Sequence, residues 1–221
     1  MDEPTLRYSL IVFDWDGTLS DSAAIIVRAL RAACADLGLP VPSEADARYV
    51  IGLGLHDSLR HVAPTLHVDD YPKLSGRYRA HYMDRDAAIP LFGGVPEMLE
   101  SLRRRGHSLG VATGKSRRGL DEALAVAGIA DRFVATRCAD EGQPKPHPDM
   151  LLHLLELTGV APGSALMIGD TTHDLQLAAN AGVDAVGVTY GAHPHDALSG
   201  EPHRAIVHSI DELSAWLRTN G

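Results

Sequence analysis

Short, continuous runs of apolar residues recur along the chain and predict the strands of a buried sheet. The clearest runs are residues 10–13, 109–112, 133–135, 165–168 and 185–188, with a weaker run at 205–207. They are rich in Val, Ile and Leu and do not alternate with polar residues. This pattern is typical of strands that are covered on both faces in a parallel sheet.

Segments with helical spacing of apolar residues separate these runs. Four of them end just before a glycine, the residue that most often ends a helix: 95–105, 120–127, 147–158 and 175–181. A last helix is predicted at residues 210–217. The alternation of strands and helices predicts an α/β fold, with a Rossmann-like parallel sheet and helices on both of its faces.

The alternation is interrupted once, between Leu19 and Leu91, where no buried strand is evident. Helical patterns occupy this stretch instead, at residues 22–37, 43–50, 56–62 and 69–83. We therefore predict an α/β core formed by residues 1–19 and 91–221, and a small helical cap domain formed by residues 20–90.

Composition narrows the functional classes. The chain has 221 residues, a net charge of −9 and a pI near 5.7. Such an acidic chain is a poor candidate for binding nucleic acid, which requires clustered Lys and Arg. No apolar stretch is long enough to span a membrane. Cys34 and Cys138 form no CxxC pair, so we expect no disulfide framework and a cytoplasmic location.

Two carboxylates follow the first predicted strand, in the stretch Phe13-Asp14-Trp15-Asp16-Gly17-Thr18. Ligands of open α/β sheets bind beyond the carboxyl ends of the strands. Acids placed there, two residues apart, are costly unless a cation or a proton lies between them.

Three other segments add polar groups at the same predicted edge. The second major strand ends at Thr113-Gly114-Lys115, Lys145 stands in the loop before a helix, and another strand leads into Asp170 and Asp174. Alone, Thr113 could simply cap a helix and Lys145 could be a solvated surface residue. Together, the acids, the hydroxyl and the lysine suit a magnesium ion and a phosphoryl group.

These segments resemble the four motifs of the haloacid dehalogenase superfamily, in the usual order from Asp14 to Asp174. The helical insert after the first motif is similar to the cap of that superfamily's phosphoglycolate phosphatase-like branch. The resemblance implies a Mg²⁺-dependent phosphatase that works through an aspartyl-phosphate intermediate.

The resemblance also implies roles for individual residues. Asp14 would be the nucleophile, and Asp16 the general acid and then the general base. Mg²⁺ would bind Asp14, the backbone carbonyl of Asp16, and Asp170, while Asp174 would hold the metal directly or through water. An acid two positions after the nucleophile favours phosphoryl transfer over halide displacement, because an alkoxide leaving group needs a proton.

The remaining residues implied by the resemblance contact the substrate. Thr113 and the Gly114 N–H would bind phosphate oxygens, Lys145 would neutralise charge between the phosphate and Asp14, and the backbone N–H of Trp15 would face the phosphate. In the cap, His56 and Arg48 flank a loop similar to the one that faces the phosphate site in the family.

The predicted substrate is a small phosphorylated metabolite such as 2-phosphoglycolate, because a closing helical cap leaves little room for a polymer. Two alternatives remain open. A phosphomutase of the same superfamily, similar to β-phosphoglucomutase, would return the phosphoryl group to a bound sugar phosphate. A non-catalytic binding protein could use the same fold. The sequence is compatible with either a monomer or a homodimer.

Overall fold

A computed structural model describes residues 6–83 and 89–221 of the chain. Its strands form one parallel sheet of six strands in the order β3-β2-β1-β4-β5-β6. Their bounds are β1 Leu10–Phe13, β2 Ser108–Thr113, β3 Ala135–Cys138, β4 Ala165–Gly169, β5 Asp184–Val188 and β6 Ala205–Val207. The predicted α/β fold is confirmed.

Helices connect the strands and cover both faces of the sheet. Their bounds are α1 Ala23–Asp36, α2 Glu44–Tyr49, α3 Leu55–Val62, α4 Tyr71–Met83, α5 Val95–Arg104, α6 Arg117–Ala127, α7 Asp149–Thr158, α8 Thr172–Ala181, α9 His195–Ser199 and α10 Ile210–Asn220. Among the described helices, none combines the length and the apolar character that crossing a membrane requires.

Successive residues of β1 face opposite sides of the sheet, and both sides are buried. Ile11 and Phe13 belong to one apolar cluster, which includes side chains of α5, α6 and α10. Leu10 and Val12 belong to the other, with side chains of α7 and α8. Burial on both faces explains why this strand is an unbroken apolar run.

Helices α1–α4 lie between β1 and α5 in the chain and enclose an apolar cluster of their own. Leu30, Leu59 and Leu74 are among its most deeply buried members, and Ala192 joins it from the loop after β5. We call these helices and the loops between them the α1–α4 cluster. Their division from the rest of the chain as a separate cap domain remains a prediction.

The strand predicted at residues 133–135 is wrong in its bounds, because β3 begins at Ala135 and ends at Cys138. Phe133 instead closes a short 3₁₀ turn. β3 lies at the edge of the sheet, and its sequence Ala-Thr-Arg-Cys leaves Thr136 and Arg137 partly exposed. A search for continuous apolar runs therefore favours the turn over the strand.

Helix starts also differ from the predicted ones. α6 begins at Arg117, where the Ser116 hydroxyl accepts a hydrogen bond from the backbone N–H of Gly119. α8 begins at Thr172, three residues before the first apolar position of the predicted helix. Polar first turns carry no apolar periodicity, so the pattern underestimates these helices. The short helix α9 was not predicted.

Candidate active site

The candidate site lies at the carboxyl end of β1, in the middle of the sheet. Phe13, the last residue of β1, pairs with Val111 of β2 on one side and Ile168 of β4 on the other. Asp14 follows directly, and its backbone N–H donates to the carbonyl of Ile168 at 2.9 Å. The order of the strands changes direction at β1, because β2 and β3 lie on one side of it and β4–β6 on the other. Such a switch point leaves a crevice between the loops that follow β2 and β4.

Three carboxylates meet in this crevice. Asp14, Asp170 and Asp174 are fully buried, and each offers an oxygen within 4.8 Å of the oxygens of the other two. The Lys145 ammonium lies between two of them, donating to Asp14 Oδ1 at 2.7 Å and to Asp174 Oδ1 at 2.6 Å. The structure thus brings together four of the predicted site residues from three separate segments.

The charges in this cluster do not balance. Burial raises the pKa of Asp14 to about 7, and Asp174 acts in the same direction, while Lys145 partly opposes the shift. Burial also raises the pKa of Asp170 well above its usual range. For Lys145, burial acts to lower the pKa, but the carboxylates of Asp14 and Asp174 outweigh it and the pKa is raised. One ammonium therefore faces three desolvated carboxylates.

The donor set fits a divalent cation. Asp14 Oδ2 is buried and has no hydrogen-bond partner among the described residues. An unpartnered buried carboxylate oxygen is costly, and a bound ion removes that cost. Oxygen ligands from several carboxylates are the kind that Mg²⁺ prefers. The cluster therefore suits Mg²⁺.

Asp170 is held by backbone that approaches it closely. Its Oδ1 accepts from the Thr18 hydroxyl at 2.8 Å, and its Oδ2 accepts from the Ala192 N–H at 2.7 Å. A Cβ on Gly17 would lie 2.1 Å from Asp170 Oδ2, and one on Gly191 would lie 2.2 Å from it. Only glycine fits at these two positions, and Gly17 also has a φ of +83°.

Sequence reasoning missed the contributions of Thr18, Gly191 and Ala192. Thr18 stands within the first motif, four residues after Asp14, so the motif itself contained that signal. The stretch Tyr190-Gly191-Ala192 follows a predicted strand end, which marks the same edge of the sheet.

Asp174 serves the helix and the cluster at once. Its Oδ2 accepts from the backbone N–H of Thr171 at 3.0 Å and from the Thr171 hydroxyl at 2.7 Å, which caps the start of α8. Its Oδ1 accepts from Lys145. The helix cap holds the carboxylate in a single orientation toward the cluster.

The Asp16 side chain bonds to residues outside the three-acid cluster. Its Oδ1 accepts from the Ser22 hydroxyl at 2.7 Å, and the Lys115 ammonium lies 3.0 Å from both of its oxygens. The sequence analysis assigned neither Lys115 nor Ser22 to the site. The sequence signal for Lys115 was its position directly after Thr113 and Gly114.

Trp15 follows Asp14 in the chain, and Thr113 and Gly114 lie at the end of β2, the strand that pairs with β1. Thr113 ends β2 and is fully buried, and its hydroxyl accepts from the Lys115 N–H at 3.2 Å. Trp15 is buried, with its side chain in the core cluster. Its carbonyl accepts from the N–H groups of residues 18–20, which tightens the turn after Asp14.

The α1–α4 cluster lies against the strand ends at two places. A Cβ on Gly114 would lie only 2.5 Å from the carbonyl oxygen of Leu53 and 2.6 Å from that of Gly52, in the loop between α2 and α3. Nearby, the Tyr49 carbonyl accepts from Nε2 of His173 at 2.7 Å and of His193 at 3.1 Å. These contacts seat the loop directly over the carboxyl ends of β2 and β4.

A cleft of about 530 Å³ runs between α3 and the starts of α7 and α8, lined by residues that include Arg60, His61 and Gln176. It also reaches Lys145. Because Lys145 is only 2% exposed, the cleft does not open the three-acid cluster to solvent.

The structure places Arg48 and His56 on the α1–α4 cluster, each with a neighbour of its own. Arg48 on α2 pairs with Glu44 at 3.2 Å. The exposed His56 packs its ring against Tyr71, with 5.1 Å between the ring centroids. Contact between these two residues and a substrate remains a prediction.

Comparison with known proteins agrees with this geometry. Residues 11–188 match the haloacid dehalogenase-like hydrolase family. The probable phosphatase IndB of Dickeya dadantii is 35% identical over 210 residues, covering 92% of this chain and 91% of IndB. A phosphoglycolate phosphatase of Vibrio vulnificus is 30% identical over 223 residues, covering 92% of this chain and 93% of that protein.

Among solved structures, a predicted phosphoglycolate phosphatase from Haemophilus somnus superposes with a TM-score of 0.80 at 26% identity. The match covers 96% of this chain and 99% of that one. The matched segment, residues 11–188, includes all the acids of the site. The chain therefore belongs to the haloacid dehalogenase-like hydrolase family, in its phosphoglycolate phosphatase-like branch, and is a phosphatase of that family.

Proposed function

We propose that this phosphatase hydrolyses a small phosphomonoester in a Mg²⁺-dependent reaction, through a phosphoryl group transferred to Asp14. The observation that carries the proposal is the buried cluster of Asp14, Asp170 and Asp174 with Lys145 between two of the carboxylates. A cluster of this composition is unfavourable in an empty protein, and a cation together with a phosphoryl group supplies the missing charges.

Asp14, Asp170 and Asp174 would hold the ion. When bound, Mg²⁺ neutralises negative charge on the transferring phosphoryl group and on the acids around it. Lys145 supplies a second, fixed positive charge, since the two carboxylates that raise its pKa keep it protonated. The chain's own ammonium thus remains beside the nucleophile throughout the reaction.

In the first step, the Asp14 carboxylate attacks phosphorus, the ester P–O bond breaks, and the leaving oxygen takes a proton from Asp16. In the second step, a water oxygen attacks phosphorus, a proton of that water passes to Asp16, and the bond between phosphorus and the Asp14 carboxylate oxygen breaks. Phosphate leaves and Asp14 is regenerated. The two steps use one acid–base group in both directions.

The phosphate oxygens would be bound by the Thr113 hydroxyl and by the backbone N–H groups of Gly114 and Trp15. These groups lie on two neighbouring strand ends beside Asp14. Backbone and hydroxyl donors fixed by a sheet need little reorganisation during the reaction, which is how preorganised sites stabilise developing charge.

The α1–α4 cluster would act as the cap. Its loop at residues 50–54 already lies on Gly114, so bound substrate would be enclosed between the loop and the strand ends. Enclosure limits the substrate to a small molecule and keeps bulk water from the aspartyl-phosphate. We propose 2-phosphoglycolate as the leading substrate, supported by the name of the 30% identical Vibrio vulnificus relative.

The test is phosphate release from a panel of small phosphomonoesters, measured with Mg²⁺, with a chelator, and with the Asp14→Asn variant. We expect metal-dependent release that Asp14→Asn abolishes. Asp196→Asn is the matched control, because its side chain is fully exposed on α9. Release that persists in Asp14→Asn would refute the aspartyl-phosphate route. Isomerisation of a sugar phosphate without phosphate release would instead identify a mutase.

A further inference from the structure

A second lysine, Lys115, is partly buried and contacts a carboxylate outside the three-acid cluster. Its ammonium lies 3.0 Å from both oxygens of Asp16 and 3.0 Å from the Tyr82 hydroxyl, and its side chain is only 12% exposed. Burial acts to lower its pKa, but Asp16 and the tyrosines outweigh burial and the pKa is raised. Lys115 therefore stays cationic.

We propose that Lys115, with Tyr82, binds an anionic group on the leaving alcohol of the substrate. The inference rests on the proposed function, because Asp16 protonates the leaving oxygen there. The leaving group must then lie beside Asp16. Since the ammonium lies within hydrogen-bond distance of the same carboxylate, a carboxylate attached next to the ester carbon comes within reach of Lys115.

The two lysines would bind different parts of the substrate. Lys145 lies between Asp14 and Asp174, where the phosphoryl group would be transferred. Lys115 lies beside Asp16, the residue that would protonate the leaving alcohol. Two separate cations suit a substrate with two separate anionic groups, in a chain whose net charge of −9 would otherwise repel it.

Tyr82, which contacts Lys115, belongs to the proposed cap. It lies on α4, and the Lys115 ammonium is 5.0 Å from the centroid of its ring. Lys115 lies on the loop that follows β2, so the contact links α4 to the strand ends. An anion bound at Lys115 would therefore also contact the α1–α4 cluster and favour its closed position.

The test compares 2-phosphoglycolate with ethyl phosphate, in which a methyl group takes the place of the carboxylate. We expect Lys115→Met to lower kcat/KM for 2-phosphoglycolate about 10- to 100-fold, the effect of losing a hydrogen bond to a charged group. The loss for ethyl phosphate, which makes no such bond, should be smaller, and it measures what the contact between Lys115 and Asp16 contributes to both reactions. Arg118→Met is the control, because this nearby arginine on α6 has an 88% exposed side chain.

Equal losses for both substrates would overturn the inference and would make Lys115 a positioning residue for Asp16. A calorimetric titration of the Asp14→Asn enzyme with both compounds and Mg²⁺ separates this inference from the proposed function. One outcome is that the unsubstituted enzyme hydrolyses neither compound while Lys115→Met, added to Asp14→Asn, removes a preference for binding 2-phosphoglycolate. In that case the anion site stands and the proposed hydrolysis fails. If binding shows no preference, the inference is refuted whatever the rate.

Discussion

Lys145→Met should measure how much the Lys145 ammonium stabilises the folded protein when no metal or substrate is bound. The ammonium lies 2.7 Å from Asp14 and 2.6 Å from Asp174, and the side chains involved are 0–1% exposed. Removing one partner of a buried ion pair leaves an uncompensated charge, which costs about 3–5 kcal/mol. We therefore expect a loss of this size in the free energy of unfolding, measured with a chelator present at pH 8.

The loss should shrink as the pH falls. Lys145 opposes the upward shift in the pKa of Asp14, so its removal raises that pKa further above the ordinary value of 3.8. A raised carboxyl pKa means that the folded state binds more protons than the unfolded state between the two values, so stability falls as pH rises through this window. Below about pH 4 the carboxyl is protonated in both states and the penalty disappears.

Urea denaturation at pH 8 and pH 5 measures both effects. Asp14→Asn should partly rescue Lys145→Met, because it removes one of the carboxylates that lost their partner. Mg²⁺ should also restore part of the stability. Arg118→Met, at an exposed position, should change stability by less than about 0.5 kcal/mol. A Lys145→Met variant within about 1 kcal/mol of the unsubstituted protein at pH 8 in chelator would refute the reasoning, since the expected loss is several times larger.

Two further predictions concern the loop at residues 50–54 and the metal. Gly114→Ala would place a methyl group 2.5 Å from the Leu53 carbonyl oxygen. The loop must move, so kcat/KM should fall at least about tenfold. Gly163→Ala is the control and should be neutral, because nothing lies within 4 Å of an added Cβ there. Equal kinetics for both variants would contradict the prediction that this loop contact matters for activity. Because burial raises the pKa of Asp14 to about 7, protons should compete with Mg²⁺. Calorimetry should show the affinity for Mg²⁺ falling by about tenfold per pH unit below 7. An affinity that stays the same from pH 5.5 to pH 8 would contradict this prediction.

The sequence was informative about the site because parallel strands share one direction. Asp14, Thr113 and Asp170 each stand at the end of an apolar run, and in a parallel sheet all of these ends meet at one edge. Their convergence was predictable without knowing the order of the strands. The buried strands β1 and β4 were equally clear, since burial on both faces leaves an uninterrupted apolar run.

The prediction was least reliable where burial is partial or the element is short. β3 lies at the sheet edge, so two of its side chains are partly exposed and its pattern is weak. α9 has 5 residues, too few for a helical period to show. Arg48 and His56 were chosen for their charge and position, and each contacts a neighbour on its own cluster.

By itself, the sequence determined the α/β architecture, the family and the set of acids, because these follow from local patterns and from motifs within a few residues. Only the tertiary structure decided how the side chains are paired. Lys145 contacts Asp14 across 131 positions of the chain, and Lys115 contacts Asp16 across 99. Such pairings, and the pKa shifts that burial causes, depend on how distant segments pack together, which no local pattern records.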